Sequence, residues 1–147
     1  MAPPREIRRL AFQALYQIDT HDGKDLDAVR LSLEDNDAYT QADRDAAFAT
    51  ATDAWAQRSH ADKELTALAP NWPTHRQAAV DRAILRLAHY EMTKPAGPPP
   101  KAVVNDAVEL AKEFSTDRSP AFINGVLDKV LKRVLGSSAA EATATEP

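Results

Sequence analysis

Apolar residues recur along this chain at three- and four-residue steps, and no stretch alternates with period two for long enough to predict a strand. Ile7, Leu10, Ala11, Ala14, Leu15 and Ile18 make one stripe of a first helix, which Pro3 and Pro4 open and His21-Asp22-Gly23 ends. A short second helix is predicted around Leu26, Val29, Arg30 and Leu33. Thr40 is placed to cap a third, with Asp43 near its positive end, running through Phe48, Ala51 and Trp55 and bending before Leu65 and Leu68. Ala69-Pro70-Asn71-Trp72-Pro73 is a break. After it, Val80, Ala83, Ile84, Leu87, Ala88 and Met92 mark a long central helix. The prolines of 94–100 make a rigid loop before a helix on Val103, Val104, Ala107, Val108, Ala111 and Phe114. Ser119 is placed to cap the last helix, with Pro120 in its first turn. That helix carries Phe122, Ile123, Val126, Leu127, Val130, Leu131 and Val134, and Gly136 is expected to stop it, leaving 137–147 as a disordered tail. The expected architecture is all-α: one domain over 1–136, in two subdomains of about 1–69 and 73–136 that share a core.

Composition narrows the chemistry. None of the 147 residues is cysteine, which excludes disulfides, thiolate metal sites and cysteine nucleophiles. No uncharged apolar run approaches the roughly 20 residues of a membrane span, and the charged N-terminus does not read as a signal peptide, so a cytoplasmic location is expected. No glycine-rich phosphate loop occurs. His21, His60, His75 and His89 lack the spacing of a helical zinc site, and Glu34-Asp35-Asn36-Asp37 lacks the glycine and closing glutamate of a calcium loop. Paired carboxylates are too common in any chain to argue acid-base catalysis without a cleft. Neither an enzyme nor a metal or other cofactor is expected.

Charge changes the picture, because the net −4 hides a segregation. Residues 1–18 sum to +2, residues 19–65 carry 12 acids against 5 bases, and residues 66–136 carry 10 bases against 7 acids. A polyanion responds to the field within about 8–10 Å and not to the total. With the apolar stripe facing inward, Arg5, Arg8, Arg9, Phe12, Gln13 and Tyr16 fall on the opposite side of the first helix, with Arg5, Arg9 and Gln13 in one row. Guanidinium groups grip phosphate through paired hydrogen bonds, and Phe12 and Tyr16 are candidate stacking platforms for single-stranded RNA. The plainer alternative is a solvated basic face, with an aromatic packed on a neighbour. Arg82 and Arg86 make a second basic row on the central helix, flanked by Arg76 and Lys94; its alternatives are simple solubility, or pairing with acids of neighbouring helices.

Four blocks, in order and in register, resemble the NusB family of bacterial transcription antitermination factors. They are Arg8–Tyr16, Val80–Met92, Val104–Lys112 and Phe122–Lys129, and with their spacing they span most of 5–134; the middle, about 20–70, matches only in helical pattern. The resemblance implies about seven helices in two three-helix-like subdomains. It implies binding of boxA RNA together with the small-subunit ribosomal protein NusE, then assembly with NusA, NusG and RNA polymerase to suppress termination, chiefly in ribosomal RNA operons. It leaves open whether the free protein is a monomer or a homodimer. Carried over, the RNA-binding residues are Arg5, Arg8, Arg9 and Gln13, with Asp117-Arg118-Ser119 as a second lip near Phe122. Asp81, Arg82 and Arg86 are expected near the RNA and the protein partner. Two departures stand out. Glu6 interrupts the basic cluster, and Arg118 stands where the family usually carries a second acid. A cation there is expected to add a phosphate contact that partly offsets the thinner N-terminal cluster. A NusB-like domain also precedes the catalytic domain of certain ribosomal RNA cytosine methyltransferases. The chain ends 12 residues after Leu135, which favours the stand-alone factor as the expectation. The alternative from a different class is a helical protein-interaction module without RNA binding.

Overall fold

A computed structural model describes the backbone of residues 2–70 and 76–145, and the side chains of 2–70 and 79–136. These residues form α1 (Pro4–Thr20), α2 (Leu26–Glu34), α3 (Gln41–Ala56), α4 (Arg58–Leu68), α5 (Arg76–Thr93), α6 (Pro100–Phe114) and α7 (Ser119–Thr145), with no strand among them. The all-α architecture read from the sequence is the observed one.

Local chemistry sets several of the helix starts. Pro4 stands in the first turn of α1, where its missing N–H would have had no partner. Thr40 and Asp43 form a reciprocal capping box on α3: the Asp43 N–H donates to Thr40 Oγ at 3.1 Å, and the Asp43 carboxylate accepts from the Thr40 N–H. The same carboxylate accepts from the Ala2 N–H at 3.1 Å, tying the start of the chain to α3. The bend expected before Leu65 is a break at Gln57 that separates α3 from α4. Pro100, read as loop, is the first residue of α6. Part of the predicted break at 69–73 lies outside the described residues.

The helix α7 runs through Gly136, where the sequence predicted its end. An isolated glycine costs a helix only about 1 kcal/mol, and the alanine-rich segment that follows favours continuation. The disorder expected for 137–147 falls on residues whose side chains lie outside those described.

The central helix α5 packs against α1, α3, α4, α6 and α7. Its Ala83, Ile84, Leu85, Leu87 and Ala88 are buried in succession, so over this stretch it is covered on more than its apolar face. Leu15 and Ile18 of α1, Leu65 of α4, and Ile123 and Leu127 of α7 complete one continuous core. Two consequences decide the site. Polar side chains of α5 are forced inside, and α1, which touches α2, α3, α5 and α6, has a wider covered face than its apolar stripe indicates.

Candidate nucleic-acid interface

The three arginines of α1 have three different environments. Arg5 is exposed, and among the described residues its side chain makes no hydrogen bond or ion pair. Arg9 is half-exposed; its guanidinium pairs with Glu113 of α6 and lies 5.3 Å from the ring centre of Phe114. The hydrogen bond from Arg9 holds the Glu113 carboxyl below its usual range. Arg8 is buried. Its Nε lies 3.1 Å from both oxygens of Glu91 on α5, and its Nη1 donates to Asp106 on α6. Burial pushes the Glu91 carboxyl upward, against the opposing charge of Arg8.

The solvent-facing position expected for Arg8 is therefore corrected: this guanidinium staples α1 to α5 and α6. Phe12 needs the same correction. It is 3% exposed, with its ring centre 5.0 Å from that of Phe114, and offers no platform to a base. Both errors have one cause. Helical phase locates the most apolar stripe of α1 but not how many neighbours flank it, and α6 covers the flank that carries Arg8 and Phe12.

On α5 the second basic row is turned into ion pairs. Arg86 is buried, clamps Asp62 of α4 through two bonds of 2.9 and 2.7 Å, and reaches Asp19 at 3.3 Å. Arg82 meets the other oxygen of Asp19 at 2.5 Å and keeps about a third of its side chain exposed (35%). Of the alternatives for this row, pairing with acids of neighbouring helices is the one observed. Of these two arginines, Arg82 is the one that retains substantial exposed surface.

The turn between α6 and α7 closes through the Ser119 N–H, which donates to the Thr116 carbonyl at 3.0 Å. Arg118 is exposed, and its carbonyl accepts the Phe122 N–H at 3.3 Å, so Arg118 occupies the capping place expected of Ser119. Ser119 is buried, and its hydroxyl donates to Asp81 at 3.0 Å. Phe122 is half-buried and packs against the core.

Arg9 lies against Phe114, the last residue of α6, and Arg118 sits in the turn that leaves it. The first helix and the turn thus converge on one end of α6. Beside this convergence opens a cleft of about 470 Å³, with Leu10, Phe12, Tyr16, Leu33, Val80 and Phe114 as its apolar lining and Gln13, Gln17, Ser32 and Asn36 as its polar residues. The sequence marked Gln13 and Tyr16 but not the cleft, whose walls lie up to about a hundred positions apart. Glu113, 104 residues from Arg9, likewise carries no signal that it is a partner.

Among the described residues the molecule is thus a strandless helical bundle with exposed guanidinium groups and an apolar cleft on its surface. No helix of the described part is long and apolar enough to cross a membrane, and no cluster of His, Asp or Glu there is arranged to hold a metal. The chain belongs to the NusB family, whose family model matches residues 5–132. It is 39% identical to the transcription antitermination protein NusB of Herpetosiphon aurantiacus over 132 residues, covering 86% of this chain and 88% of that protein. It is 40% identical to the protein of the same name from Elusimicrobium minutum, covering 90% and 95%. Among solved structures, T. maritima NusB superposes with a TM-score of 0.76 at 29% identity, over 89% of this chain and 92% of that one. The solution structure of NusB from Aquifex aeolicus shares the fold, with a TM-score of 0.73 at 24% identity over 91% and 90%.

Proposed function

We propose that this protein is a transcription antitermination factor that binds boxA RNA together with the ribosomal protein NusE. The pair joins NusA, NusG and RNA polymerase and suppresses termination, chiefly in ribosomal RNA operons. Family membership supports the class. The observation that carries the RNA reading is that Arg9 and the turn bearing Arg118 meet at one end of α6, with Arg5 lining the recess along α6 beside Arg9, and that the guanidinium groups of all three are open or half-open.

The ion pair that holds Arg9 to Glu113 is exposed and worth about 0–1 kcal/mol, so a phosphate can take the place of Glu113 while the guanidinium keeps its contact with the Phe114 ring. Gln13 and the exposed part of Arg82 and Phe122 complete the RNA-facing set. Arg8, Arg86 and Ser119 act from inside, by holding helices and the turn. The apolar cleft gives the protein partner its contact surface. Glu6, Glu109 and Glu113 border the recess around Arg5 and Arg9, so affinity for RNA without the partner is low.

A fluorescence titration with boxA-containing and scrambled RNA, with and without NusE and across salt, tests the reading. Tight, sequence-dependent binding with NusE is expected, weakened by Arg5→Ala together with Arg9→Ala. Binding that ignores sequence, or none even with NusE, would assign the chain to the class of helical interaction modules instead.

A further inference from the structure

The carboxylate of Asp81 is 4% exposed, and among the described residues no lysine, arginine or histidine pairs with it. Its partners are hydroxyls. Ser115 Oγ donates to Oδ1 at 2.8 Å, and Ser119 Oγ donates to Oδ2 at 3.0 Å. The two serine hydroxyls lie 2.8 Å from each other, and Thr116 Oγ lies 3.1 Å from Ser119 Oγ. Asp81 also faces the N-terminal end of α7, whose dipole favours an anion there.

A buried carboxylate without a cation is stable only while its neutral donors stay aimed at it, so the constraint is mutual. The donors sit at both ends of the α6–α7 turn. Between them Asp117 and Arg118 are exposed. One carboxylate from α5 therefore grips the base of the turn from inside the protein and leaves its crown, with Arg118, facing water. A guanidinium carried on a rigid base loses less freedom on meeting a phosphate than one carried on a mobile loop.

We propose that Asp81 is a positioning residue for RNA binding: it holds the turn so that Arg118 is set in place for a phosphate. This rests on the RNA reading above, and the experiment is chosen to separate the two.

Binding of boxA-containing RNA by the full chain with NusE is measured across salt for the wild type, Asp81→Asn, Arg118→Ala and the double variant. Hydrogen exchange of the amides of residues 115–119 is measured on the free proteins. Asparagine keeps the shape of Asp81 but loses one acceptor, and Arg118 is exposed, so these substitutions leave the fold in place. Asp81→Asn is expected to speed exchange in the turn. It is also expected to weaken binding about threefold and to flatten the salt slope by about 0.7, the share of one phosphate of a single strand. In the Arg118→Ala background it adds nothing. A general structural role predicts the opposite, with Asp81→Asn adding its full effect in that background. That result, or turn amides that exchange as in the wild type, overturns the proposal. If exchange quickens but no protein binds RNA, the clamp stands as a structural feature, and the positioning role fails together with the RNA reading.

Discussion

The guanidinium of Arg8 shows how a single side chain departs from its helical phase. It stands in the charged N-terminal part of α1, next to Arg9, which is half-exposed, yet its own fork is filled by Glu91 and Asp106. A buried pair contributes little net stability, because desolvation offsets attraction, but removing one partner strands the other's charge. Arg8→Ala is therefore expected to destabilise the protein by about 3–5 kcal/mol in urea denaturation, while Arg5→Ala, at an exposed site, shifts it by less than about 0.5 kcal/mol. Equal, small effects at both positions would show that the staple does not hold. The residue type at position 8 was legible in the sequence as a phosphate-binding candidate. What was not legible was the arrival of two carboxylates from α5 and α6, 83 and 98 residues away.

Among the elements, the joint between α1 and α2 depends on a backbone that side chains rarely adopt. Gly23 has φ +77°, and a Cβ there would come within 2.8 Å of Trp55 Nε1 on α3. The sequence marked the Asp-Gly as the end of α1, and the turn does fall there. It carried no sign that an indole closes over the glycine. Gly23→Ala is expected to lower stability by about 1–3 kcal/mol, combining left-handed strain with displacement of Trp55. A thermal melt followed by tryptophan fluorescence checks this, and an unchanged midpoint and emission would refute the close packing. The capping box of α3 was legible for the opposite reason: Thr40 and Asp43 are three residues apart and need nothing from elsewhere.

On the scale of the whole molecule, α4, α5 and α7 meet at a titratable cluster that no sequence pattern marked. The buried ring of His89 lies 2.6 Å from Glu64, packs edge-on to His60 at 5.5 Å, and shares Glu64 with Arg133. Burial lowers the His89 pKa, with the Glu64 carboxylate opposing; burial raises Glu64, but Arg133 and His89 outweigh it and hold that carboxyl low. The ring is thus neutral at pH 7, with Nε2–H donating to Glu64. Unfolding returns the histidine to its ordinary value near 6.5, so the unfolded chain takes up a proton first as pH falls. Stability that is present above about pH 6.5 is lost as pH drops toward the lower folded value. Melting temperatures from about pH 7.5 to 5.5 are expected to fall for the wild type and to fall less steeply for His89→Gln. Parallel curves would remove His89 as the cause.

The sequence by itself determined the helical class, the approximate helix bounds and the family. These are written in residues three or four positions apart, and in blocks whose order does not depend on contact. It also placed arginines at the start of α1 and in the turn before α7. Only the tertiary structure decided which of those arginines meet water: Arg5 and Arg118 remain open, Arg9 is paired at the surface, and Arg8 is locked inside, as is Arg86 on α5. Periodicity reports which side of one helix is the more apolar, whereas burial is set by how many helices surround it. With α5 touched by five other helices and α1 by four, polar groups a single helix would turn to solvent had to find partners far along the chain.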